Sequence, residues 1–247
     1  MTQGTPTGST AAPQTGLDDL PGFRRRVRIT PAGGSVCAEV EDDYHHMAVT
    51  LHHMDGVAAN IDATIHRAPW STCPGAEARL RQTFSGVALA GFPIRGEKQA
   101  NCTHLHDLAI LAAAHAGVSR PIIYDILVSD PDGGIRRAEI RRDGTPVFTW
   151  TLAGMTIRAP AEAAGQTLLK LGAFLETLDP PGLEAAKLLR WGSLIAHGRS
   201  IPIEQQSDAS RMPPNCFTFQ PAMAAQARRV GVIRDFRPGG PGPLDAC

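Results

Sequence analysis

The chain has 247 residues, 43% of them apolar, which is enough to bury a substantial core in one or two domains. Lys+Arg and Asp+Glu both total 24. That balance argues against a nucleic-acid binder or an anionic-membrane binder, and no apolar run is long enough to cross a bilayer. Only Lys98, Lys170 and Lys187 are lysines; the remaining cations are arginines, which suit fixed contacts to anions.

The N-terminus has no basic start followed by an apolar stretch, so no secretory signal is read and a reducing, cytoplasmic location is expected. Cys37, Cys73, Cys102, Cys216 and Cys247 are odd in number and widely spaced. They are expected as core residues, ligands or reactive thiols before disulfides. Residues 1–20 and 237–247 are rich in Gly, Pro, Ser and Thr and are expected as disordered and flexible tails around one domain over residues 21–236.

From residue 23 to residue 66 the pattern is strand-like. Arg24, Arg26 and Arg28 alternate with Arg25, Val27 and Ile29, and Asp55-Gly56 is a hairpin turn signal. Helices are expected from Pro74 toward Phe84 and over residues 103–116, the second apolar on nearly every side and therefore buried. Strands return over residues 122–128, 135–141 and 147–152, with turns at Asp132-Gly133-Gly134 and Asp143-Gly144. Helices are then expected over residues 161–178 and 183–197, and a short one over residues 222–229. Without regular β–α alternation this is an α+β fold: antiparallel hairpins followed by helices, with a second strand layer and C-terminal helices.

Four stretches could carry chemistry. In Arg67-Ala68-Pro69-Trp70-Ser71-Thr72-Cys73-Pro74-Gly75, proline at the first helical position puts Cys73 at a helix start, where free amides and the positive helix end favour a thiolate. In Cys102-Thr103-His104-Leu105-His106-Asp107, a cysteine and two histidines open a buried helix, a donor set suited to zinc or iron. In Glu41-Asp42-Asp43-Tyr44-His45-His46, strand alternation aligns Asp43 and His45 with Met47, Val49 and Leu51 as ligands or an acid–base pair; His46 and His52 fall on the other face, and His66 ends the next strand. Last, Arg199 and the Pro213-Pro214-Asn215-Cys216-Phe217 stretch form either a lid or a packed wrap. Each also has a plainer explanation: buried cysteines, a Thr103 cap, satisfied histidines, an exposed acidic turn. No phosphate loop, nucleophile elbow or Cys-x-x-Cys pair is present, so no nucleotide or flavin is expected.

Phe23-Arg24-Arg25-Arg26, Asp42-Asp43-Tyr44-His45-His46, His66-Arg67-Ala68-Pro69-Trp70, Cys73-Pro74-Gly75-Ala76, Cys102-Thr103-His104-Leu105, Leu189-Arg190-Trp191-Gly192 and Pro214-Asn215-Cys216-Phe217-Thr218 resemble a bacterial family of unknown function across residues 22–237. That resemblance implies association with the catabolism of aromatic or terpenoid compounds. Residues 36–116 are also similar to NifU-type iron–sulfur scaffold proteins. This second resemblance implies a NifU-like core, with Cys73 and Cys102 opening helices and Asp43 as the acidic ligand. The earliest cysteine of that family would fall near Cys37, without its usual Gly-Asp context, and the Trp70 loop is longer here. A mononuclear site with mixed ligands, or a metal-free acid–base pocket, fits these departures better than a cluster.

Three functions follow as expectations. The first is a catabolic enzyme of lyase, isomerase or hydrolase type acting on a small aromatic or terpenoid substrate. His66, Arg67, Cys73, His104 and His106 would be its catalytic groups. Trp70, Arg199 and Tyr44 would bind substrate, and Asp43, His45, Cys73, Cys102 and His104 would hold a zinc or iron ion if one is used. The second is a metal or iron–sulfur carrier, and the third a non-catalytic binding module. A homo-oligomer is left open.

Overall fold

The structure, a computed structural model, describes residues 16–245. Four strands, β1 (Gly22–Ala32), β2 (Ser35–Asp42), β3 (His46–Met54) and β4 (Val57–Arg67), form a meander. It is followed by α1 (Ala76–Phe84) and α2 (Thr103–Ala114). A second meander, β5 (Ile122–Ser129), β6 (Ile135–Arg142), β7 (Thr145–Ala153) and β8 (Thr156–Ala159), is followed by α3 (Gly172–Leu175), α4 (Pro180–Ala196) and α5 (Pro221–Ala224). The fold is α+β. The expected second strand layer is not separate: because β1 pairs antiparallel with β5, the second meander continues the sheet of the first, giving one eight-stranded sheet in the order β4-β3-β2-β1-β5-β6-β7-β8. Asp55 and Gly56, like Asp143 and Gly144, both take positive φ, as a two-residue hairpin turn requires.

Helices cover one face only. α2 packs on β2 and β3, and α4 packs on β5, β6 and β7. Between them, Phe23, Val27, Ile29, Val40, Val49 and Leu51 are sealed from solvent, each contributing about 1.5–3 kcal/mol of transfer free energy. Asp179 caps α4 by accepting from Gly182 N at 3.0 Å. Gly192 lets that helix approach the seam: a Cβ there would lie 2.7 Å from Ile126 Cγ2. The opposite face carries ion pairs, including Arg28–Glu39 at 2.7 Å and Arg26–Asp125 at 2.7 Å. Among the described residues no helix is long and apolar enough to cross a membrane.

Two of the expected helices differ. Residues 161–178 were expected to be one helix, but only Gly172–Leu175 is α-helical there. Gly165 at φ +83° turns the chain back, and Ile157 N donates to Gln166 O and Leu168 N to Met155 O. The apolar period belongs to a folded loop that buries Ala163, Leu168 and Leu171. The short helix expected over residues 222–229 closes earlier, at Pro221–Ala224.

The expected C-terminal tail is also placed against the body. Leu244 is buried and donates its N–H to Glu41 Oε2 at 2.7 Å, and Asp245 pairs with Arg26 at 2.5 Å. Charged partners on the outer face anchor a segment whose composition alone predicts flexibility. Residues 17–19 of the expected N-terminal tail form a 3-10 turn; the rest of that tail, through residue 15, and Cys247 lie outside the described residues.

Candidate active site

The β2–β3 connection is a two-residue turn. Asp42 N donates to His45 O at 2.8 Å, leaving Asp43 and Tyr44 at the tip. Strand alternation predicts that Asp43 and His45 share a side. The turn instead brings Asp42 to His45, because alternation stops where the chain reverses. Asp42 Oδ1 accepts the N–H of Tyr44 at 2.7 Å, the N–H of His45 at 2.8 Å and His45 Nδ1 at 3.1 Å. Its other oxygen accepts Arg25 Nε at 2.8 Å and a second guanidinium nitrogen of the same arginine. Asp42 is paired with Arg25 across strands β1 and β2, on the helix-covered face.

His104 comes from the first turn of α2, and its ring stacks on His45 with centroids 4.0 Å apart. Its Nε2 lies 3.2 Å from Arg25 Nη2. Since a guanidinium can only donate, His104 accepts there and is the neutral Nδ1–H tautomer. Trp191 of α4 closes the cluster, 4.8 Å from the His104 ring and 4.5 Å from the Arg25 guanidinium carbon. The cluster thus joins both meanders and their helices at the β1–β5 seam.

The charges sort by environment. Burial would raise the Asp42 carboxyl, but the charges of Arg25 and His45 outweigh it and hold it well below the usual range. Burial, with the charges of His45 and Arg25, holds His104 well below the usual imidazole range. Burial pushes Asp43 up to about 7 against the pull of Arg199. Arg199 is shared, donating to Asp43 Oδ2, to both Asp130 oxygens and to Asp235. Asp43 Oδ1 is buried with no partner among the described residues. Burial pushes the Tyr44 hydroxyl up to about 12, so it stays protonated.

Asp42, His45 and His104 each bring a ligand atom within 4.8 Å of the others. A metal ion there would compete with Arg25, whose Nη2 bridges Asp42 and His104. The guanidinium is the cation this cluster already holds, and the donor set does not fit a metal while Arg25 is in place.

Except for Arg67, the remaining expected groups lie elsewhere. Cys73 begins a 3-10 turn, Cys73–Gly75, ahead of α1 and accepts from the Thr218 hydroxyl at 3.3 Å. Cys102 precedes α2, 4.0 Å from Met47 Sδ. Both sit at helix starts as expected, yet burial pushes both thiols up, Cys102 to about 12. Desolvation exceeds the pull of the amides, which corrects the expectation of thiolates. Among the described residues no group of three potential ligands includes a cysteine. His106 packs against Phe84 with neither ring nitrogen hydrogen-bonded among the described residues, Nδ1 lying 3.9 Å from Asp107 Oδ1. Arg67 holds the turn by donating to Asp42 O at 2.6 Å and Asp43 O at 2.8 Å. Trp70 packs on Phe219 and Arg229. His66 lies with Glu39 and His46.

Of the expected residues, the structure gathers Asp43, Tyr44, His45, Arg67, His104 and Arg199 around the turn. It adds Asp42, Arg25 and Trp191. Arg25 had a signal: an arginine in the row of Phe23, Val27 and Ile29 must find a buried anion. No family model, curated protein or solved structure matches the chain.

Proposed function

We infer that the protein is an enzyme of lyase, isomerase or hydrolase type that moves a proton on a small substrate, with His45 as the base. One observation carries this reading. Asp42 fixes His45 through Nδ1, while Nε2 makes no hydrogen bond among the described residues and the largely buried side chain keeps 10% of its surface exposed. An ionised carboxylate behind an imidazole orients it and stabilises the cation formed when the far nitrogen takes a proton. Asp43, two residues before His45 at the tip of the turn and poised near neutrality with one oxygen lacking a hydrogen bond, suits the return of a proton.

The test is conversion of a panel of small aromatic and isoprenoid acids, lactones and hydroxy acids in D2O. Mass spectrometry reads both product and deuterium incorporation. Parent turnover should fall about 10²–10⁴-fold in His45→Asn, the usual contribution of a positioned base. Turnover that survives the substitution removes His45 from the role.

The complete burial of Arg25 and Asp42 favours a second reading, a non-catalytic module whose network only ties α2 to the hairpin. On that reading His45→Asn lowers stability and no member of the panel is converted by the parent.

A further inference from the structure

The opposite face of the sheet holds a second cluster, separate from the turn site and independent of its function. His46, the first residue of β3, alternates with buried Met47 and so lies on the face away from the helices. Glu39 of β2, His46 of β3 and His66 of β4 each offer one ligand atom, all within 4.8 Å of one another. A β-bulge produces this meeting. His46 pairs with Arg67 and Met47 with Ile65, so His66 is the extra residue. Bulges re-aim a side chain in this way, and the His46 and His66 rings lie 4.5 Å apart.

The surroundings suit a cation. His46 Nε2 is 3.1 Å from Glu39 Oε1, while Arg28 donates to the other Glu39 oxygen at 2.7 Å and fixes the carboxylate. His46 Nδ1 faces Glu41 Oε1 at 4.0 Å. Glu39 can only accept, so its hydrogen bond with His46 places the ring proton on Nε2. A cation taking Nε2 and Oε1 as ligands would displace it, the ring then carrying its proton on Nδ1, while Glu41 Oε1 is itself held by Arg67 and Arg234. Tetrahedral zinc, with bonds of about 2.0–2.1 Å, needs ligand atoms roughly 3.3 Å apart. The Glu39–His46 pair is already at that spacing, and exposed His66 has the rotamer freedom to close the rest.

We propose that Glu39, His46 and His66 form a binding site for a zinc-type divalent cation, with three protein ligands and an open fourth position. Two imidazoles and one carboxylate are the donor set of zinc sites that keep a water or substrate in the fourth place.

The experiment titrates Zn²⁺ into the chelator-stripped full chain in competition with a chromogenic chelator. The site predicts one equivalent bound by the parent, lost in His66→Ala and weakened roughly tenfold or more in Glu39→Gln. Binding should be unchanged in His104→Ala. His66 is exposed, so its variant keeps the fold, and circular dichroism verifies this. No stoichiometric binding by the parent, binding that survives His66→Ala, or binding lost in a His104→Ala variant that circular dichroism shows to be folded would each overturn the assignment.

Discussion

Arg25 Nε donates to Asp42 Oδ2 at 2.8 Å inside the protein, and neither side chain has any exposed surface. The pair is closed by a second guanidinium nitrogen, which also reaches His104. Removing one member of such a pair strands a buried charge. Arg25→Met is therefore expected to cost about 3–5 kcal/mol in urea unfolding. A loss below about 1 kcal/mol would show that Asp42 does not depend on Arg25 for its charge.

Asp43 sets a pH dependence of the opposite sign to its neighbours. Its folded value is about 7, against about 3.9 unfolded. The folded state therefore holds the proton over that interval. The contribution of Asp43 to stability is complete below about pH 4 and is lost as pH rises toward 7. Asp42 and His104, both depressed when folded, contribute above their unfolded values and lose that contribution as pH falls. The stability of Asp43→Asn relative to the parent should thus rise between pH 4 and 7, by up to about 1.4 kcal/mol per unit, and level off above. A difference that stays flat across this interval contradicts the burial argument for Asp43.

The cysteines should be slow. Burial outweighs the helix-start amides at Cys73 and Cys102, so alkylation of the native protein at pH 7–8.5 should leave both intact while the unfolded chain reacts fully. Peptide mapping after brief iodoacetamide treatment distinguishes the cases. Rapid native labelling of Cys73 would restore the activated thiol expected from its place before Pro74.

Much of the fold is legible where local rules act alone. Asp55-Gly56 and Asp143-Gly144 mark turns by their chemistry, and the apolar stretch of α2 marks a helix buried at His104, Leu105, Leu108, Ala109 and Ala112. The loop over residues 160–171 is not legible: its apolar spacing imitates a helix, and only the bonds back to Met155 and Ile157 decide otherwise.

The site divides in the same way. Tyr44, His45 and His104 stand out by residue type. Asp42 is missed by one position, because strand alternation carries no information about where the turn reverses the chain. Trp191 is missed because its contacts to Arg25 and His104 depend on how α4 docks at the seam.

Asp42 holds His45 through Nδ1 and leaves Nε2 without a hydrogen bond among the described residues, and carbethoxylation followed by peptide mass spectrometry reads that nitrogen directly. His45 should be modified in the native protein while His104, whose Nε2 accepts from Arg25, and His106, only 2% exposed, are spared, and its rate should drop about tenfold or more in Asp42→Asn. Protection of His45 equal to that of His104, or a rate indifferent to Asp42, would contradict the assignment.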